Sequence, residues 1–295
     1  MKSLEAMAYK MQPAGHDKPA PKRKFERDSR LDRLVAQFEL WQKCYPTIIN
    51  PDYEHRGLLH IWAKEAIKGL NPSIEEAHAL LLRIQDTSRF PHTGLFISAI
   101  YNTSPEKEIV FDFDMPDLDH LGFWLQKDKI FINKGVLPSL GEKAEGTIIN
   151  YNTIKNTTYG NVVNYGKIEK CGTSSEGLTV NLGKIKELDS YSRSAVINAS
   201  KYGSITFVNQ EGIVVDTTNW TLMRFSNDPP HKKRKYTQKG FVRMHKAREY
   251  FSELVKKFEQ GKNDYHMAIS AVKQYPVEKV RKDLISLMKE AGYEA

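Results

Sequence analysis

The chain has 295 residues, 40% of them hydrophobic and 27% charged, which is enough apolar side chain to bury one large core or two ordinary ones. No apolar run approaches the ~18 residues of a membrane helix, and no apolar leader opens the chain. Two cysteines, Cys44 and Cys171, are too few for a disulfide framework. A membrane protein, a secreted disulfide scaffold and a wholly disordered chain are set aside. A basic cytoplasmic protein is expected, or a nuclear one if the source is eukaryotic.

The net charge of +8 is unevenly placed. Residues 1–45 hold 10 Lys and Arg against 6 Asp and Glu, and residues 229–295 hold 16 against 8. Between them, 46–108 and 109–228 are each two charges negative, with 6 against 8 and 12 against 14. Basic ends around a slightly acidic body suit arms that meet a polyanion.

Four parts follow in chain order. Residues 1–27, with MQPAGHDKPAPKRKF at their centre, are rich in Pro, Gly, Ala and Lys, and read as a disordered basic arm. Residues 28–93 read as a helical domain. Leu31, Leu34, Val35, Phe38 and Trp41 form one apolar stripe on a helix that Pro46 ends. A second helix over 56–69 is expected to bury Leu58, Leu59, Ile61, Trp62, Ala66 and Ile67, with Gly69 as its stop. Ser73 and Glu76 make a capping box before Ala77, Leu80, Leu81 and Ile84. His60, among apolar neighbours, reads as a satisfied core histidine.

Residues 94–227 read as strands and a parallel β-solenoid. LFISAI at 95–100 and EIVFDFD at 108–114 are β-branched and aromatic, so both predict strands. A repeat then sets in. Asparagine recurs at Asn133, Asn150, Asn164, Asn181 and Asn198, in steps of 17, 14, 17 and 17, with Asp216 in its place on a degraded last rung. Ile132, Ile149, Val163, Val180 and Ile197 precede it, and Gly135, Asn152, Gly166, Gly183 and Ser200 stand two residues after it. About 17 residues suit one solenoid turn. The Ile and Val residues should align in an internal ladder, and the asparagines should hydrogen-bond along the axis. Gly and Asn should mark bends, since both tolerate positive φ.

The strings EGTIINYNTI, YGNVVNYGKI and EGLTVNLGKI resemble the glycine-punctuated rungs of the right-handed β-helix in the glutamate synthase C-terminal domain, and the similar rungs found in formylmethanofuran dehydrogenase. The resemblance covers about residues 128–219. Those families carry more glycines per turn, where this chain often has Ser, Asn or Glu. It implies a structural spacer, and no catalytic residue carries over.

Residues 228–295 read as a basic segment followed by helices, the last with Val277, Val280, Leu284, Leu287 and Met288 on its apolar face. The helices are expected to cap the open end of the solenoid, or that end pairs with a second copy. The fold class is thus α+β, a central solenoid of about 17 residues per rung between helical regions.

Two constellations carry chemistry. Asp112, Asp114, Asp117, Asp119 and His120 could bind a hard cation as a metal site. The other is basic and aromatic: Lys22, Arg23, Lys24 and Arg27 near the start, then Lys232, Lys233, Arg234, Lys235, Tyr236, Lys239, Phe241, Arg243, Lys246 and Arg248. Cations neutralise phosphates and aromatics stack on unpaired bases. Tyr151, Tyr159, Tyr165 and Tyr202 read as packing between rungs, with a sugar-binding face as the alternative. No phosphate loop, dinucleotide fingerprint or zinc motif is present, so no cofactor is expected.

These features predict a non-enzymatic RNA-binding protein, specifically a ribosome-associated factor that bridges or silences subunits as a homodimer, with ribosomal RNA as its partner. The alternatives are a protein-interaction scaffold built on the solenoid, and a metal-dependent enzyme using Asp112–His120.

Overall fold

The computed structural model describes residues 22–44, 53–84, 92–157, 160–173, 177–190, 195–200, 206–210, 213–217, 221–224 and 238–290. Four helices come first: α1 (Lys22–Cys44), α2 (Tyr53–Ile67), α3 (Ile74–Ile84) and α4 (Thr93–Thr103). Helix α1 begins inside the stretch read as an arm, six residues before Asp28. Its stripe is as expected, with Leu34, Phe38 and Trp41 buried and the Phe38 and Trp41 rings 5.2 and 5.3 Å from Phe96. Helix α2 stops before Gly69, whose φ of 84° suits glycine. The capping box of α3 closes reciprocally: the Ser73 N–H donates to Glu76 Oε2 at 2.9 Å, and the Glu76 N–H to Ser73 Oγ at 3.2 Å.

Two expectations in this region are corrected. LFISAI is part of helix α4, not a strand. Every residue from Thr93 to Asn102 is buried, so the helix has no polar face and shows no helical periodicity. A short apolar run without periodicity looks the same as a buried strand. In α2, Leu59, Ala63 and Ile67 are buried as the apolar face, but Leu58, Ile61 and Trp62 are exposed. The helix is apolar on two sides, and only one of them meets the body.

The strands are β1 (Glu108–Phe111), β2 (Ile130–Asn133), β3 (Leu137–Leu140), β4 (Thr147–Asn150), β5 (Thr153–Thr157), β6 (Asn161–Asn164), β7 (Lys167–Thr173), β8 (Leu178–Asn181), β9 (Lys184–Ser190), β10 (Ala195–Asn198), β11 (Thr206–Gln210), β12 (Ile213–Asp216) and β13 (Thr221–Arg224). They make a parallel β-solenoid. From β2 to β12 successive strands alternate between a larger sheet, β1-β2-β4-β6-β8-β10-β12-β13, and a smaller one, β11-β9-β7-β5-β3. Among the described residues all strand pairs are parallel except β12 with β13, which turns back antiparallel. The repeat is the register: Asn133 pairs with Asn150, Asn150 with Asn164, Asn164 with Asn181, Asn181 with Asn198, and Asn198 with Asp216.

The asparagine ladder forms as expected. Each Nδ2 donates to the next Oδ1 at 2.9 Å from Asn133 through to Asn198. All five asparagines are buried. The glycines serve a different purpose from the one expected. Positive φ values occur at neither the ladder asparagines nor Gly135, Gly166 and Gly183. A Cβ on Gly166 would lie 2.1 Å from the carbonyl oxygen of Asn152 in the previous turn, and one on Gly183 would lie 2.2 Å from that of Gly166. Close approach of stacked backbones, not bending, requires glycine here.

The Ile and Val ladder is also corrected. Side chains alternate along a strand, and the inward row is Phe131, Ile148, Val162 and Val196, on the same face as the asparagines. Ile132, Ile149, Val163, Val180 and Ile197 point outward from the larger sheet. They are nonetheless buried, because the C-terminal helices α5 (Gln238–Gln260), α6 (Tyr265–Gln274) and α7 (Val277–Glu290) lie over them with Phe251, Leu254, Phe258, Ala268 and Ile269. These helices therefore cover a flank instead of capping the open end. Tyr151 and Tyr165 stack at 4.9 Å, and their hydroxyls donate to the carbonyls of Gly261 and Phe258 at the end of α5. That pair is a packing feature, while Tyr159 and Tyr202 lie outside the described residues.

Ladder position should govern the cost of losing an amide. Asn164→Ala removes two ladder bonds and Asn198→Ala one, so we expect losses of about 3 and about 1.5 kcal/mol respectively. Urea unfolding with unchanged m-values would check this order, and equal losses would mean that the bonds do not act as a ladder.

Candidate nucleic-acid interface and the acidic loop

The two basic segments lead into helices that pack on different clusters. Lys22, Arg23, Lys24 and Arg27 fall in the first two turns of α1, a helix whose Leu34, Phe38 and Trp41 join the core that continues into the solenoid interior. The helix is tied down just beyond them. Arg30 Nη2 donates to the carbonyls of Leu70 and Asn71 at 2.9 and 3.0 Å, and Arg30 Nε pairs with Glu76 Oε1 at 2.9 Å. At 1.5 Å per residue, Lys22 then lies about 12 Å along the axis from this anchor. Lys239, Phe241, Arg243 and Lys246 fall in the first half of α5, followed by the exposed Arg248. Helix α5 is held to the solenoid flank from Ala247 onward. Lys232, Lys233, Arg234, Lys235 and Tyr236 lie outside the described residues.

The acidic string does not converge. It follows β1 as the wide first bend of the solenoid, and each side chain meets something different. Asp112 and Asp117 are exposed. Asp114 accepts from the Val136 N–H at 2.9 Å, and Asp119 Oδ1 lies 3.3 Å from Ser139 Oγ. His120 Nδ1 lies 3.1 Å from Glu142 Oε2. Among the described residues no group of three or more His, Cys, Asp or Glu is placed to hold a metal ion.

Residues that the sequence did not single out complete this corner. Arg56 of α2 binds the other Glu142 oxygen at 2.7 Å, so one carboxylate joins α2 to the acidic loop. Burial pushes the Glu142 carboxyl up, but the hydrogen bond from His120 and the charge of Arg56 outweigh it and hold the group below the usual carboxylate range. His92, His120, Trp124 and Lys143 all adopt left-handed backbone, with φ between 50 and 71°. The His92 and His120 rings lie 6.4 Å apart. Arg56 and Glu142 are 86 positions apart, so no local pattern could have paired them.

Deeper in, three ionisable groups are held without charge partners of the usual kind. His60 is fully buried, with Nδ1 3.2 Å from the Leu95 carbonyl and Nε2 3.3 Å from Asn102 Nδ2, the core histidine expected. Burial, reinforced by Lys64, lowers its pKa to about 4, against a smaller upward effect of the Leu95 bond. His78, among Phe111, Phe113 and the Tyr101 hydroxyl, is lowered by burial to about 4. Lys129 is buried and donates to the carbonyls of Ser104 and Glu106 past the end of α4. Burial lowers its pKa, partly opposed by Asp128 and Glu106.

No family model matches the chain, and no curated protein or solved structure is detectably similar to it. The likeness of the rungs to glutamate synthase and formylmethanofuran dehydrogenase therefore holds for the parallel β-solenoid fold, with no matching family behind it. Among the described residues no helix is long and apolar enough to cross a membrane.

The two histidines fix a pH response. They stay neutral in the folded chain but take protons in the unfolded one below about 6.5, so stability falls as pH drops from there towards 4. Glu142 adds a further loss once the pH falls into the ordinary carboxylate range, where its carboxyl takes a proton in the unfolded chain before it does in the folded one. The melting temperature should decline between pH 7 and 4.5, and His78→Gln should remove part of the decline. An unchanged slope in that variant would show that His78 is not one of the groups responsible.

Proposed function

We propose that this protein is a non-enzymatic nucleic-acid-binding scaffold whose solenoid body presents two basic helix starts to a phosphate backbone. RNA is the partner class, and a ribosome-associated role in the cytoplasm is the particular reading. The observation that carries it is where the positive charge sits. Helices α1 and α5 begin in the two basic segments and have no acidic residue in their first turn. Helices α2, α3 and α7 instead begin with Glu54, with Glu75 and Glu76, and with Glu278, and the first turns of α4 and α6 carry neither an acidic residue nor Lys or Arg. A helix N-terminus already carries partial positive charge. Adding Lys and Arg there is unfavourable within the chain and favourable against phosphate. The acidic loop does not support the enzyme alternative, because Asp114, Asp119 and His120 turn to different partners and no three of its groups converge on a metal position among the described residues.

The test is binding of single-stranded RNA across a salt series. Each phosphate contact contributes about 0.7 to the slope of log K against log salt. Changing Lys232, Lys233, Arg234 and Lys235 together to Ala should therefore weaken binding and reduce the slope by up to about 3. An unchanged slope would remove that segment as the contact. Sedimentation of cell lysate with and without ribonuclease would identify the particle, and migration only as free protein would reject the ribosomal reading.

A further inference from the structure

The exposed side of α2 carries an apolar stripe with opposite charges at its two ends. Leu58, Ile61 and Trp62 are 45, 46 and 38% exposed, although three such side chains on one helix would ordinarily be core. Leu58 and Ile61 are three residues apart, and Leu58 and Trp62 four, so all three share one face. The same row runs from Glu54, one turn before Leu58, to Lys68, two turns after Ile61. Glu54 is exposed, and Lys68 is exposed in an ion pair with Glu65 at 3.2 Å.

Acid at one end, base at the other and apolar residues between make this row complementary to itself when reversed. We infer that α2 is the homodimer interface, pairing antiparallel with α2 of a second copy across a two-fold axis beside Ile61. In that arrangement Ile61 meets the partner's Ile61 and Leu58 meets the partner's Trp62. Glu54 comes within reach of the partner's Lys68, and the same contact repeats by symmetry. A parallel pair would set Glu54 on the partner's Glu54 and Lys68 on the partner's Lys68, so the charges choose the antiparallel form. Glu54 and Glu65 also make the row a poor phosphate contact, which separates it from the basic helix starts. The inference does not depend on the nucleic-acid reading.

Sedimentation equilibrium of the full chain, treated with nuclease, tests it. A dimer is expected at micromolar concentration. Ile61→Asp, at a surface position, should give a monomer that stays folded, with an unchanged circular dichroism spectrum and a melting temperature that no longer rises with protein concentration. Glu54→Lys should raise the dimer dissociation constant about tenfold, and Glu54→Lys combined with Lys68→Glu should restore it. A wild-type monomer at 100-fold higher concentration would overturn the proposal, the outcome expected if another segment or another protein occupies this face. A dimer that persists in Ile61→Asp, or a double reversal that fails to rescue, would overturn it too.

Discussion

Stacking in register is the constraint from which the rest of the structure follows. Each turn must return an asparagine to the same point beneath its predecessor, because Asn150, Asn164 and Asn181 each donate to the amide of the next turn and accept from that of the turn before, with Asn133 and Asn198 closing the two ends. The same Nδ2 groups also reach the carbonyls two residues on, at Gly135, Asn152 and Gly166, so the ladder holds the corner as well as the stack. A buried primary amide left unpaired would cost more than a paired one contributes, so the ladder forms over its whole length. The one short step, from Asn150 to Asn164, keeps the same 2.9 Å bond, and its second strand, β5, has five residues where β7 and β9 have seven.

Two-sided burial of the larger sheet comes next. Its strands β2, β4, β8 and β10 are buried at every position, inward against the solenoid interior and outward against α5 to α7. A parallel sheet with both faces apolar needs a cover on each. The C-terminal helices are that cover, fastened by the tyrosine hydroxyls and by exposed ion pairs of Lys273 with Glu108 and of Lys127 with Glu278. At the start of the solenoid the N-terminal helices join the interior core instead. Tyr101 of α4 packs on Phe131 of β2, and Asn102 holds the loop backbone at Phe123 and Gln126. The Arg56–Glu142–His120 contacts close the same corner from outside.

The candidate interface is legible in the sequence as far as it is local. Runs of Lys and Arg are visible in any window; Lys239, Arg243 and Lys246 fall in the first half of α5, while Lys232, Lys233, Arg234 and Lys235 lie outside the described residues. The acidic string is equally visible and suggests a convergent group, but proximity along the chain does not bring carboxylates together. Val136 and Ser139 come from the next turn and take Asp114 and Asp119 apart. Glu142, the carboxylate that does join two elements, leaves no signal in any window because its partners are distant in sequence.

What the sequence by itself determined is whatever repeats or caps within a few residues: the 17-residue rung, the asparagine ladder, the Ser73–Glu76 box and the stop at Gly69. These depend on backbone geometry that neighbouring residues impose. Only the tertiary structure decided which apolar residues face which core. LFISAI lies in a helix enclosed on all sides, so its sequence carries no polar face to reveal it, the Ile132 row faces outward because the asparagines already take the inner positions, and Leu58, Ile61 and Trp62 face solvent because the body covers only the other side of α2. Hydrophobicity has no direction of its own, so the side to which an apolar residue turns is set by what the rest of the chain brings to it.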